Sequence, residues 1–199
     1  MIIGVTGFFA SGKDTVAEYL VARKGFEHLS LSDIIRRRLR EEGREVTIAT
    51  LTEMGNAIRR EKGPGALGEM AASSLTPGAN TVVTSIRHPA EVEALRRAGH
   101  FTMLFVDVAI ELRFERSRAR ARPGDLARFE DFQAAETAQM ASADGAAQRL
   151  AECRGLADKV IINDSTLEAL YRQIDDVLSE IGGRGAGSGN EDRKSGACH

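Results

Sequence analysis

Gly7-Phe8-Phe9-Ala10-Ser11-Gly12-Lys13-Asp14-Thr15 lies between a short apolar run, Met1–Thr6 (MIIGVT), and the segment Lys13–Lys24. In that segment Val16, Ala17, Leu20 and Val21 fall on one helical face. A strand, a glycine-bounded loop and a helix therefore follow one another, with the spacing G-x-x-x-x-G-K of a phosphate-binding loop. The chemistry explains the residue types. Glycines allow backbone N–H groups to turn inward around a polyphosphate. The helix that follows offers its positive end to the same anion. Lys13 is a mobile point charge able to reach the β- and γ-phosphates. Thr15 supplies a hydroxyl for a metal ion or the α-phosphate. The expected nucleotide contacts are thus Gly7, Ala10, Ser11, Gly12, Lys13, Asp14 and Thr15.

Further along the chain, four more apolar runs alternate with amphipathic segments. They are Glu27–Leu31, Asn80–Ile86 (NTVVTSI), Phe101–Val108 (FTMLFVDV) and Lys159–Asn163 (KVIIN). Strands buried on both faces read as continuous apolar runs rather than alternating ones. Strands separated by helices favour parallel pairing with right-handed crossovers. The pattern predicts a three-layer α/β/α fold around a five-stranded parallel sheet, with ligands at the carboxyl ends of the strands. Helices are expected over Ser32–Glu42 with Ser32 as N-cap, Thr50–Glu61, Gly65–Ser74, Pro89–Ala98, Glu111–Arg122, most of Phe129–Leu156, and Leu167–Ile181. From Gly182 onward the sequence GGRGAGSGNEDRKSGACH holds six glycines in eighteen residues and almost nothing apolar. Such a segment buries too little surface to offset its ordering entropy. The expected division is a folded unit over 1–181 and a flexible tail, linker or truncation scar over 182–199.

Composition excludes several classes. The chain has 199 residues, with 27 Lys+Arg against 29 Asp+Glu and a formal charge of −2. That is no basic nucleic-acid protein. Apolar residues make up 42%, enough for a core and too many for a disordered chain. Two cysteines, Cys153 and Cys198, and four scattered histidines argue against a disulfide scaffold or a zinc cluster. No apolar run reaches the roughly 20 residues that cross a bilayer. No nucleic-acid or membrane partner is expected, and the expected compartment is the cytoplasm.

The residue after Lys13 is Asp14, and the threonine comes one later. This G-K-x-T arrangement resembles the adenylate-kinase type of nucleoside monophosphate kinase. With aspartate at the variable position it is still more similar to small deoxynucleotide and dephospho-coenzyme A kinase-like proteins. The resemblance implies phosphoryl transfer from ATP with Mg2+, a short lid and a helical acceptor-binding insertion. It also implies roles for residues that match the family's segments. In Leu31-Ser32-Asp33-Ile34-Ile35-Arg36, Arg36 matches an acceptor-phosphate ligand, and Asp33 a residue that orients water on magnesium. In Val82-Val83-Thr84-Ser85-Ile86-Arg87, Arg87 matches an acceptor arginine, while Thr84 stands where the family carries an acid. Arg116 and Arg120, one helical turn apart, match lid arginines that meet donor phosphates; an exposed arginine-rich helix is the alternative. The lid itself would span Arg122–Asp131. Asn163 follows the last strand, where the family packs the adenine, though an Asx-type turn fits equally. Asn56, Arg59 and Arg60 stand where acceptor selectivity is built.

Over about 1–181 the segments GKDTVAEYL, LSDIIR, SIRHPAEVEAL, VDVAIELRFERSRAR and KVIINDSTLEALY resemble one further group. It is the P-loop domain, of AAA-family ATPase or dephospho-coenzyme A kinase-like type, at the amino end of bacterial deoxycytidylate-deaminase-type proteins. The zinc deaminase elements H-x-E and P-C-x-x-C are absent here. A deaminase-type partner domain would lie beyond the glycine-rich tail. The functional expectation is an ATP-dependent nucleotide kinase whose acceptor is a small phosphorylated molecule, a (deoxy)nucleoside monophosphate first. A nucleotide-sensing module without turnover and a dephospho-coenzyme A kinase-like enzyme are the rivals.

Overall fold

The computed structural model describes residues 1–120, 127–140 and 148–185. Its strands are β1 (Ile2–Gly7), β2 (Glu27–Ser30), β3 (Thr81–Thr84), β4 (Phe101–Asp107) and β5 (Lys159–Ile162). They form one sheet in the order β2-β3-β1-β4-β5, and every neighbouring pair is parallel. The helices are α1 (Lys13–Lys24), α2 (Leu31–Glu41), α3 (Ile48–Lys62), α4 (Ala66–Ala72), α5 (Pro89–Arg97), α6 (Ile110–Arg120), α7 (Phe129–Met140), α8 (Leu150–Gly155) and α9 (Leu167–Gly185).

Alternation along β1 builds the two cores. Ile3 and Val5 pack with Val16 and Leu20 of α1 and with Leu170, Ile174 and Val177 of α9. Ile2 belongs to the opposite core, with Leu31 and Leu39 of α2, Met54 and Ile58 of α3, and Val92 and Leu95 of α5. The fold is therefore the expected three-layer α/β/α arrangement around a five-stranded parallel sheet. Strands β1 and β3 are neighbours, yet α1 and α5 leave them toward opposite faces. That divergence opens a crevice at the carboxyl ends of the two strands, the usual ligand position in such sheets. No helix among the described residues is long and apolar enough to cross a membrane.

Four boundaries differ from expectation for local reasons. Strand β3 ends at Thr84 because Ser85 adopts φ 65, which leaves the extended region. The N-cap of α2 is Ser30, not Ser32, and its hydroxyl makes no capping bond. It lies instead within 2.9 Å of Ser32 Oγ and 3.2 Å of Ser85 Oγ. Helix α3 begins at Ile48 because Thr47 and Thr50 form a reciprocal capping box, with threonine in the place usually taken by Glu or Gln. The expected helix Phe129–Leu156 comprises α7 and α8, with 141–147 outside the described residues. Residues 121–126, which include the first part of the expected lid Arg122–Asp131, and 186–199 of the expected tail also lie outside them; the last lid residues, Phe129–Asp131, begin α7.

The β5 edge carries a device of its own. Gln173 of α9 donates to the Ile162 carbonyl at 2.8 Å and accepts the Ile162 N–H at 3.1 Å. One side chain thereby satisfies both backbone groups of Ile162 as a further strand would. We expect Gln173→Leu to lower stability by about 1 kcal/mol. Amide hydrogen exchange should locate the lost protection at Ile162, the residue just before Asn163.

Candidate functional site

The loop between β1 and α1 is shaped by backbone conformation and by side chains that reach it from elsewhere. Gly12 caps α1 at φ 91, and a Cβ there would lie 2.2 Å from the Asn163 amide nitrogen. At Gly7 a Cβ would meet the Val106 carbonyl at 2.4 Å. Both positions need glycine, for close approach at each and for the left-handed conformation at Gly12. Ala10 also sits at φ 58. Asn163 Nδ2 donates to the Ser11 carbonyl at 2.8 Å. The side chain expected beside the base thus holds the loop from behind. Arg113 Nη1 donates to the Phe9 carbonyl at 3.4 Å, and its Nε to the Val108 carbonyl at 3.0 Å. Glu136 of α7 pairs with Arg113 through both carboxylate oxygens. The same guanidinium lies 5.0 Å from the Phe8 ring centroid, and Arg120 lies 5.0 Å from that of Phe9. These rings and cations attach the loop to α6 and α7.

Beside the loop lies a cavity of about 350 Å³. Lys13, Arg36, Arg87 and Arg120 reach its wall from four different segments. Ser32 and Ser85 add hydroxyls, and Ile35, Ile48, Leu51 and Gly55 form an apolar side. Among the described residues lining it, Asp14 is the one carboxylate. Burial pushes the Arg87 guanidinium below its ordinary value. The neighbouring charge of Arg59 adds to that effect, and Glu91 opposes it.

Other expected residues sit differently. Arg59 touches the cavity wall, but it is 4% exposed and committed to Glu91, which is fully buried. Arg59 Nε reaches Glu91 Oε1 at 2.9 Å and Nη2 reaches it at 2.8 Å. Glu91 Oε2 accepts the N–H groups of Arg87 at 2.8 Å and His88 at 3.1 Å. Arg59 is thereby a brace for the segment bearing Arg87. Asp33 is exposed and pairs with Arg36 Nη1 at 2.7 Å. The Arg116 Nη1 atom is shielded and has no partner, and Arg116 is not part of the cavity wall. Arg60 is exposed and not part of that wall, and Asn56 Oδ1 accepts from Arg59 Nη1 at 3.2 Å. Thr84, in the place of the family's acid, hydrogen-bonds His28 Nε2 at 2.8 Å.

Sequence reasoning missed Arg113, Glu91, Ser32 and Ser85. Arg113 stands one turn before Arg116 in the same basic run, so helical spacing was an available signal. Glu91 occupies N3 of α5, a capping position that gave no hint of its distant arginine. For a bound polyphosphate the loop is a suitable cradle, since the α1 N-terminus faces it and Ser11 Oγ is buried without a partner. For magnesium the fit is through Thr15, on the first turn of α1. No group of three or more His, Cys, Asp or Glu suited to a metal occurs among the described residues. Magnesium commonly binds through few protein ligands plus phosphates and water.

Removing one partner of the buried pair should be costly. We expect Glu91→Gln to lower stability by about 3 kcal/mol or more, measured by urea unfolding. The double replacement Arg59→Met/Glu91→Leu should recover part of that loss. It cannot recover all, because the N–H groups of Arg87 and His88 lose their acceptor.

The chain resembles known proteins over most of its length. A family model described as an AAA domain matches residues 2–153. UPF0200 protein PH1008 of Pyrococcus horikoshii is 30% identical over 188 residues, covering 91% of this chain and 97% of that protein. A UPF0200 protein of Hyperthermus butylicus is 28% identical over 188 residues, covering 93% and 97%. Among solved structures, TT1252 from Thermus thermophilus superposes with a TM-score of 0.52 at 27% identity, covering 90% and 97% of the two chains. Shikimate kinase from Bacteroides thetaiotaomicron gives a TM-score of 0.58 at 15% identity, covering 92% and 98%, and shares the fold. The chain belongs to the AAA-domain family and to the UPF0200 proteins.

Proposed function

We propose that the chain transfers the γ-phosphoryl group of ATP to a small phosphorylated acceptor, a (deoxy)nucleoside monophosphate. The observation that carries this is the cavity beside the loop, where Lys13, Arg36, Arg87 and Arg120 converge and Asp14 is the single carboxylate among the described lining residues. An alcohol acceptor needs a base placed to take its proton. A phosphate acceptor is already ionised near pH 7, since its second pKa is about 6. A wall rich in cations and poor in bases suits the second kind of nucleophile. The kinase-like fold of its structural neighbours agrees with ATP-dependent phosphotransfer.

ATP bound with Mg2+ supplies the phosphoryl group and a divalent charge to offset its oxygens. The rest falls to the chain's own residues. Gly7, Ala10, Ser11, Gly12 and Lys13 bind the polyphosphate, with Asp14 beside them, and the Thr15 hydroxyl would help hold the metal. Asn163 and Arg113 keep the loop in shape. Arg36 and Arg87 hold the acceptor's oxyanion, while Arg116 and Arg120 on α6 neutralise charge on the donor side. Phe9 and the apolar wall of α3 exclude water. Positioning and charge stabilisation account for most of the rate in such transfers.

A second reading has one observation behind it. Thr84 replaces the expected acid and its hydroxyl is held by His28, which weakens the hold on hydrated magnesium. That favours a nucleotide-sensing module, with any deaminase-type partner beyond the glycine-rich tail as its target. An ADP-release assay across nucleoside monophosphates, dephospho-coenzyme A and phosphomevalonate separates the two. Tight ATP binding with no acceptor-stimulated ADP would favour the sensor. Under the kinase reading Lys13→Ala abolishes turnover while its circular dichroism stays native. Arg87→Ala raises the acceptor KM roughly tenfold or more, as expected for loss of a charged hydrogen bond of about 1.5–3 kcal/mol. Wild-type turnover by Lys13→Ala would refute that reading.

A further inference from the structure

Two shielded polar atoms in the cavity wall lack any hydrogen-bond partner: Arg87 Nη1 and Gln148 Oε1. Their senses are opposite, one a donor and one an acceptor. They are neighbours through the backbone, because the N–H of Arg149 donates to the Arg87 carbonyl at 2.9 Å. The segment entering α8 is thus tied to the segment leaving β3. A buried acceptor left unsatisfied is costly, so native structures almost always pair such atoms. Arg113, Asn163 and Arg59 all have protein partners. The two residues that carry the orphan atoms, Arg87 and Gln148, instead line the cavity that faces the loop.

We infer that Gln148 is an acceptor-recognition residue, reading an O–H or N–H donor carried beside the oxyanion that Arg87 binds. This rests on the phosphotransfer reading of the same cavity and narrows its acceptor class. The acceptor must offer an oxyanion and, within the same few atoms, a hydroxyl or amino hydrogen. Monophosphates of simple alkyl alcohols fail that requirement. Nucleotides can meet it through a sugar hydroxyl or through a base amine. Gln148 Oε1 accepts that hydrogen while Arg87 Nη1 donates to the phosphate, so both orphan atoms are satisfied by one ligand.

The test compares the full chain with Q148L, using CMP, UMP and their deoxy and dideoxy analogues as acceptors. In Q148L the acceptor KM is expected to rise about tenfold, the loss of one hydrogen bond, with the KM for ATP unmoved. Discrimination between the matched pair that differs in the recognised donor should also collapse. CMP against UMP exposes an amine, and the sugar series exposes a hydroxyl. An acceptor KM unchanged in Q148L overturns the inference. A second readout is independent of turnover. The Gln148 side-chain amide NMR signal, identified by its absence from Q148L, should shift when CMP or UMP is titrated without ATP. A shift without ADP release supports the recognition role and defeats the kinase reading. A signal unmoved by every monophosphate defeats the recognition role even where ADP is released.

Discussion

A loop that grips polyphosphate must keep its N–H groups available for the ligand, so its shape has to be held by other means. Here the hold comes through carbonyls and rings. Asn163 takes the Ser11 carbonyl, Arg113 takes that of Phe9, and the two phenylalanines stack under Arg113 and Arg120. These supports come from β5's end and from α6, elements remote in sequence. The loop is therefore a product of the completed sheet rather than of its own nine residues. That constraint also accounts for Gly12, whose missing Cβ is the space the Asn163 amide occupies.

The Arg87 side of the cavity solves the same problem with opposite polarity. The segment after β3 must present Arg87 to a cavity while its own N–H groups face inward. Glu91 accepts both of those N–H groups and is itself neutralised by Arg59 from α3. A buried carboxylate with four directed donors is well satisfied, whereas a lone one is not. The pair also fixes α3, the apolar wall, relative to Arg87. The apolar wall and Arg87 are thus held in one frame.

Much of this was legible in the sequence because its signals are local. Apolar runs between amphipathic segments gave the five-stranded parallel sheet, and glycine–lysine spacing gave the loop. Arg87 follows β3 and Arg36 lies in α2, near where topology places ligands; Arg120 closes α6 and is singled out by the resemblance of its basic run. What stayed hidden depends on long-range pairing. Nothing near Arg59 announces a carboxylate thirty-two positions away, and nothing near Asn163 announces the loop's back. The end of β3 was missed because Ser85 adopts a conformation usually reserved for glycine. Serine is tolerated there because its hydroxyl lies within 3.2 Å of Ser30 Oγ and donates to Ser32 Oγ at 3.3 Å.

Those three hydroxyls bear on charge in the site. With Thr84 engaged by His28 and serines beneath Arg36, the β2 and β3 ends bring no carboxylate into the cavity wall. Arg36 does pair with Asp33, but on the exposed side, where water screens the attraction. Among the described residues of the wall, Asp14 is the one carboxylate set against Lys13, Arg36, Arg87 and Arg120. Concentrated positive charge in a concave site destabilises the empty state and favours an anionic occupant. A carboxylate at position 84 would offset part of that field and lend the metal an anchor. Under the proposed phosphotransfer, threonine at this position would leave both tasks to the ligands: the donor's phosphates would hold the metal, and the acceptor's charge would balance the arginines. On that reading, binding of the two anions would be coupled through the field they share.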